Sequence, residues 1–103
     1  MQDNHNAPKN KLFNSSIKLS FRLLNGKNTS ISIKKYLIVL YCVFYEKSKD
    51  DFIDYIRKHL DDYFEEWNSI KNFSEYLVLQ VVKDISKDNG YSFDDIIEFT
   101  EDL

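Results

Sequence analysis

Side chains that can form hydrogen bonds or carry positive charge recur at every second position on both sides of the dipeptide Asn25-Gly26. Alternate residues lie on one face of a β-strand, so two such strands joined by a turn would present all of these side chains together. A polar and cationic face without carboxylates suits the phosphates and base edges of a nucleic acid. The residues of this face are Lys18, Ser20, Arg22, Asn28, Ser30 and Ser32.

The apolar residues between these positions decide how the two strands pair. A two-residue loop would pair Phe21 with a serine and so mix buried with exposed side chains. A three-residue loop of residues 24–26 pairs Phe21 with Thr29 instead, and it gives Gly26 the left-handed position that such a loop requires. We therefore predict a hairpin over residues 16–33 with an apolar back and a polar front. The other apolar pairs in this register are Leu19 with Ile31 and Ile17 with Ile33.

Charge is divided unevenly along the chain. Residues 1–35 carry seven basic side chains and one acidic side chain, a net charge of +6. Residues 36–103 carry seven basic and sixteen acidic side chains, a net charge of −9. Such a division favours a polyanionic partner for the first part of the chain. Lys27 in the turn and Lys34 after the second strand add to the cationic candidates.

A chain of 103 residues predicts one domain, which we place at residues 14–103 behind a disordered basic arm at residues 1–13. The single cysteine, Cys42, cannot form a disulfide within the chain, which favours a reducing, cytoplasmic compartment. The longest apolar run, residues 36–45, is roughly half the length that a membrane span needs. We therefore expect no membrane segment.

The same apolar run allows two interpretations. Its β-branched and aromatic residues favour a strand, whereas its length favours a helix. We predict a helix over about residues 35–46, with a strand as the alternative. A helix that is apolar on every side is difficult to cover within a small monomer, which indicates an intertwined dimer.

Amphipathic segments follow this run. Ser48 and Asp51 form a capping-box pattern before apolar residues spaced by three or four. Asn72 opens a second such stripe, which stops before Asn89-Gly90, and Ser92 opens a short third one. The predicted fold class is α+β, mostly α, with an N-terminal β-hairpin followed by three to four helices. The bounds of the last three helices are about 49–68, 73–87 and 93–101.

Patterns typical of catalytic, metal and cofactor sites are missing from the sequence. Two distant histidines, His5 and His59, and one cysteine cannot form a zinc site, and we expect His59 to be an exposed helical residue. The paired acidic residues lack calcium-loop spacing. The two glycines are 64 positions apart and form no phosphate-binding loop. We therefore expect no enzyme, no metal and no cofactor.

The segment at residues 25–33 leads directly into the helix predicted after Lys34. Its sequence is Asn-Gly-Lys-Asn-Thr-Ser-Ile-Ser-Ile. This arrangement resembles the ribbon-helix-helix family of DNA-binding proteins, loosely over residues 25–66. In that family a short strand pairs with its twin from a second subunit, and the ribbon enters the DNA major groove. The resemblance implies a homodimer that binds double-stranded DNA as a transcriptional regulator or accessory protein, of the kind that plasmids and phages carry.

The resemblance also implies roles for individual residues. Asn28, Ser30 and Ser32 would contact base edges, and Ser48 would cap a helix whose amides contact a phosphate. Lysines near the strand would add attraction to phosphates that is independent of sequence. The predicted DNA-binding residues are Lys18, Ser20, Arg22, Lys27, Asn28, Ser30, Ser32, Lys34 and Ser48.

A function of another class stays open. The net charge of residues 36–103 fits a small acidic protein-binding module without DNA binding, such as a phage or plasmid inhibitor or an immunity-type protein. In a third interpretation the hairpin binds DNA and the acidic C-terminal helices recruit a protein partner. Aromatic residues of the helices are of the types common at interfaces, and core packing is the alternative role for them. They are Tyr41, Tyr45, Tyr55, Tyr63 and Trp67.

Overall fold

The computed structural model describes residues 15–101 of the chain, with side chains described for residues 15–99. This part of the chain is α+β and mostly helical, with an N-terminal antiparallel hairpin followed by helices, as predicted. The arm predicted at residues 1–13 lies outside the described residues. The elements are β1 (Ser16–Arg22), β2 (Asn28–Lys34), α1 (Lys35–Tyr45), α2 (Lys49–Trp67), α3 (Phe73–Asn89) and α4 (Phe93–Glu101).

The hairpin has the predicted register. Phe21 pairs with Thr29, and the pairing continues through Leu19 with Ile31 to Ile17 with Ile33. The Leu23 N–H donates to the Lys27 carbonyl at 2.8 Å, which closes the three-residue loop. Gly26 has φ 87°, the left-handed conformation that a side chain would disfavour. The loop length and the position of the glycine are therefore confirmed.

The long apolar run forms helix α1, so the predicted helix is confirmed and the strand alternative is wrong. It follows β2 without an intervening turn and packs against β2, α2 and α3. Tyr36, Leu37 and Leu40 are buried, whereas Val43 is 53% exposed. One chain therefore covers most, but not all, of this apolar helix.

The starts of the later helices differ in their chemistry. The capping box at the start of α2 is present, with Ser48 and Asp51 bonded reciprocally. Helix α3 begins at Phe73, directly after Asn72, as predicted. Asn72 has φ 65°, a left-handed conformation, and its side chain makes no capping hydrogen bond. The Phe73 N–H instead donates to the Ile70 carbonyl at 3.0 Å, so a tight turn precedes the helix.

The apolar back of the hairpin packs onto the helices in one core. Ser74 of α3 also donates its hydroxyl to the Ser32 carbonyl at 2.8 Å, which fastens β2 to the helical part. The hairpin is therefore held with its polar front outward. The buried core residues are Phe21, Ile31, Ile33, Tyr36, Leu37, Leu40, Phe52, Ile56, Leu60, Phe73, Leu77, Val81, Val82, Ile85 and Ile96.

None of the helices within residues 15–101 combines the length and the apolar character needed to cross a membrane.

Candidate nucleic-acid interface

The polar front of the hairpin consists of three cross-strand pairs. All six of their side chains are exposed. Side chains that are directly opposite each other on antiparallel strands lie about 5 Å apart, so each pair offers a joint set of donors and acceptors. Each strand has seven residues, which corresponds to a length of about 20 Å. The pairs are Lys18 with Ser32, Ser20 with Ser30 and Arg22 with Asn28.

The outer edges of the two strands carry backbone polar groups of the same residues. The hydrogen bonds from Leu23 to Lys27 and from Lys35 to Ser15 show that odd-numbered residues form the hydrogen-bonded pairs of the ladder. The even-numbered residues, which carry the polar side chains, therefore direct their N–H and C=O groups away from the partner strand. At the edge of β2 the Ser32 carbonyl is bonded to Ser74.

Cations surround the polar front. Lys18 and Arg22 lie on it, Lys27 lies in the loop, and Lys34 and Lys35 lie where β2 joins α1. The hairpin carries no carboxylate between Ser15 and Lys35. Carboxylates of the helices oppose the attraction of this region for a polyanion, among them Glu75 of α3, which lines one pocket together with Ser32 and Lys34.

Arg57 of α2 is a further cation near the hairpin, and the sequence alone did not indicate it. Its guanidinium carbon lies 5.2 Å from the centroid of the Phe21 ring, at the back of the hairpin. Arg57 is 35 positions away from Arg22 along the chain, so no local pattern connects it to the strands. Only the fold of the chain brings Arg57 of α2 to the ring of Phe21 in β1.

Ser48 stands apart from the other predicted site residues, which all lie on the hairpin. Its hydroxyl accepts the Asp51 N–H at 3.2 Å, and its own N–H donates to the Asp51 carboxylate at 3.0 Å. The Ser48 hydroxyl also donates to this carboxylate at 3.0 Å, and the two bonds from the Ser48 N–H and hydroxyl hold the pKa of Asp51 below its usual range. A carboxylate therefore already occupies the anion-binding end of α2, which disfavours a phosphate there.

The tyrosines of the helices pack mainly against each other and against the core. The Tyr41 ring lies 5.0 Å from Phe52 and 4.9 Å from Tyr55. Tyr55 donates its hydroxyl to Asp84 at 2.6 Å, and Tyr45 donates its hydroxyl to Asp88 at 2.7 Å. Burial, followed by these hydrogen bonds, raises the pKa of both tyrosines above the usual range. These tyrosines are therefore structural, whereas Trp67 is 62% exposed.

His59 is half-buried, so the expectation of an exposed histidine is wrong. Its ring lies 4.5 Å from the Tyr55 centroid and 6.5 Å from the Tyr76 centroid. The amphipathic pattern of α2 could show only the neighbouring Tyr55, because Tyr76 comes from α3. Burial lowers the pKa of His59.

Candidate metal ligands do not cluster in the part of the chain that the structure describes: no group of three His, Cys, Asp or Glu is placed to hold an ion. Cys42 is half-buried in α1, and burial raises the pKa of its thiol. The thiol form is therefore favoured over the reactive thiolate.

Comparison with known proteins adds no relative: no protein-family model, no curated protein and no solved structure matches this chain.

Proposed function

We propose that this protein binds double-stranded DNA through the polar front of its hairpin and acts as a transcriptional regulator or accessory protein. The observation that carries the proposal is the register, which brings six polar or cationic side chains onto one exposed face. Five cations and no carboxylate lie between Ser15 and Lys35. We assign the protein no catalytic role and place it in the cytoplasm, where Cys42 stays reduced.

The dimensions of the hairpin support this proposal. The major groove of B-DNA, about 12 Å wide, admits a two-stranded β-ribbon. A ribbon inserted there would direct Lys18 and Arg22 at phosphates or guanine edges, and Asn28 at an adenine edge. The apolar back, which is packed on the helices, would face away from the DNA.

The proposed ribbon differs from that of the ribbon-helix-helix family in which chains supply its two strands. In that family each subunit gives one strand, whereas here one chain supplies both β1 and β2. The other edge of β2 is bonded to Ser74, which opposes the pairing of two β2 strands. We propose a homodimer in which each chain brings its own hairpin to one half-site of the DNA.

The proposal predicts a specific loss of salt sensitivity when hairpin cations are removed. Changing Lys18, Arg22 and Lys27 together to alanine removes up to three phosphate contacts. The slope of log affinity against log salt concentration should then become shallower by up to about 2.7. Fluorescence anisotropy of a labelled duplex, titrated at several salt concentrations, measures this slope.

A matched control removes the same charge elsewhere. Lys58, Lys83 and Lys87 are exposed on α2 and α3, and their triple alanine variant should keep the slope of the unmodified protein. Equal slopes for the two triple variants would show that net charge, and not the hairpin, governs binding. Circular dichroism establishes that both variants are folded.

A second function is favoured by one observation, the exposure of Trp67 among acidic residues. Trp67 is 62% exposed, and Glu65 and Glu66 precede it on α2. Aromatic residues exposed on an acidic surface are suited to a basic protein partner. This would make the helices a protein-binding module, either in place of DNA binding or in addition to it.

A further inference from the structure

A groove lies between the end of α2 and the start of α3. Tyr63 and Trp67 line it from α2, and Tyr76 and Leu79 line it from α3. Trp67 and Leu79 are 62% and 58% exposed, among the most exposed large apolar side chains for which the structure gives burial. Exposed apolar side chains that lie together in a groove, rather than singly, are typical of a binding surface.

The rings of the groove are tilted and fixed in place. Tyr63 lies 4.9 Å from Tyr76 at 49° and 6.4 Å from Trp67 at 41°, measured between centroids. Phe73, which is fully buried, packs edge-on against Tyr63 at 5.3 Å. The Tyr63 hydroxyl donates to the Lys71 carbonyl, which ties the ring to the turn between the helices. The groove is therefore formed before any ligand arrives.

Carboxylates give the groove a negative potential. Glu66 of α2 and Glu75 of α3 line it from opposite sides, and Lys71 is the one basic side chain among its lining residues. Burial raises the pKa of Tyr76, and the charges of Glu66 and Asp62 raise it further. The carboxylates of Glu66 and Glu75 therefore favour a cation in the groove.

We propose that this groove binds a lysine- or arginine-bearing segment of a protein partner. A cation within about 6 Å of an aromatic ring is attracted to its face, most strongly by tryptophan. The aliphatic stem of the same side chain would lie on Leu79, and its charge would face Glu66 and Glu75. The proposal rests on the second function above, and it specifies the ligand chemistry of that function. The acidic rim disfavours a nucleic acid at this site.

The single tryptophan of the chain makes the test direct, because Trp67 is the only source of tryptophan fluorescence. The probe is a short synthetic peptide of arginine, lysine and leucine, and its counterpart carries glutamate at each basic position. The basic peptide should shift or quench the emission saturably, and the glutamate peptide should leave it unchanged. Absence of any response to the basic peptide would overturn this proposal and would leave a protein-binding function of other helical surfaces standing.

Two neighbouring glutamates provide the matched variants. Glu66→Gln should weaken binding of the basic peptide about threefold, and Glu75→Gln should do the same. Glu65→Gln removes the same charge from the adjacent position, which does not line the groove, and should keep the affinity unchanged. Equal weakening by the variants at 65 and 66 would overturn the groove assignment while leaving a protein-binding function standing.

Removal of the Trp67 side chain tests whether it anchors the peptide. Trp67→Ala should weaken binding of a dye-labelled peptide at least tenfold, because tryptophan anchors dominate such interfaces. The Trp67 side chain is mostly exposed, so this variant should keep the melting temperature of the unmodified protein within a few degrees. A second copy of the chain is the other possible occupant. In that case the tryptophan emission of the protein alone would depend on protein concentration, and Glu66→Gln would lower the mass measured in solution. This result would overturn the proposal.

Discussion

His59 illustrates how a single residue can differ from its sequence pattern. Asp62 lies one turn away from His59 on α2, and a histidine beside acidic residues is typical of a solvated helix face. Two aromatic rings nevertheless lie near the His59 ring, Tyr55 of α2 at 4.5 Å and Tyr76 of α3 at 6.5 Å between centroids. The pKa of His59 is lowered by burial, and this effect exceeds the opposing influence of Asp84 and Asp62.

This lowered pKa predicts a dependence of stability on pH. The unfolded chain binds the His59 proton more readily than the folded chain, so stability rises with pH in this range. The His59 contribution is complete above pH 6.5 and is lost as the pH falls through the folded-state pKa. Urea denaturation at several pH values between about 5 and 7.5 measures it.

His59→Gln is the comparison for this experiment, because it keeps Asp62, Asp84 and Lys58, the charged groups around the ring. The variant should lose stability less steeply as the pH falls than the unmodified protein does. Identical pH profiles for the two proteins would show that His59 is not the group that titrates.

At the scale of elements, the hairpin and the helix bounds were predictable from the sequence. A two-residue loop would have paired both Phe21 and Leu19 with serines, so only the three-residue loop kept the apolar residues of β1 and β2 on one face. The helices begin where predicted, and α3 ends two residues later than predicted, at Asn89. The left-handed conformation of Asn72 was not predictable, because it depends on the turn that follows Ile70.

The capping box of α2 yields a prediction that separates two roles for Ser48. If Ser48 only caps the helix, Ser48→Ala should cost about 1 kcal/mol in the free energy of unfolding. The affinity for DNA should stay unchanged, because Asp51 already occupies that helix end. Chemical denaturation and anisotropy titration of the same sample measure both quantities. A clear loss of DNA affinity in the folded variant would restore Ser48 to the interface.

At the scale of the whole molecule, charge and exposure separate two surfaces. The hairpin is basic, and the helices carry most of the acidic residues together with the groove at Trp67. The sequence predicted the charge division, because charge follows from composition alone. It did not predict the position of Arg57 beside Phe21 or the groove, because both depend on how helices pack against other elements.

The proposed homodimer gives a prediction at this scale. Val43 is the exposed part of the apolar helix α1, beside Phe44 and the acidic residues Asp95 and Glu98. Light scattering should give a mass twice the 12.3 kDa of one chain. Val43→Glu should reduce this mass to that of one chain and keep the helical circular dichroism, since the side chain is exposed. A monomeric unmodified protein would contradict the dimer.

The most direct test of the central claim is a map of the DNA contact on the protein. Two-dimensional amide NMR spectra, recorded while an unlabelled duplex is added at low salt, report which backbone groups change their environment. The account predicts the largest shifts between Ser16 and Lys35, with Lys18, Arg22 and Asn28 among them, and recovery of the free spectrum at high salt. Shifts confined to the helices after Glu46, or no shifts at low salt, would contradict DNA binding by the hairpin.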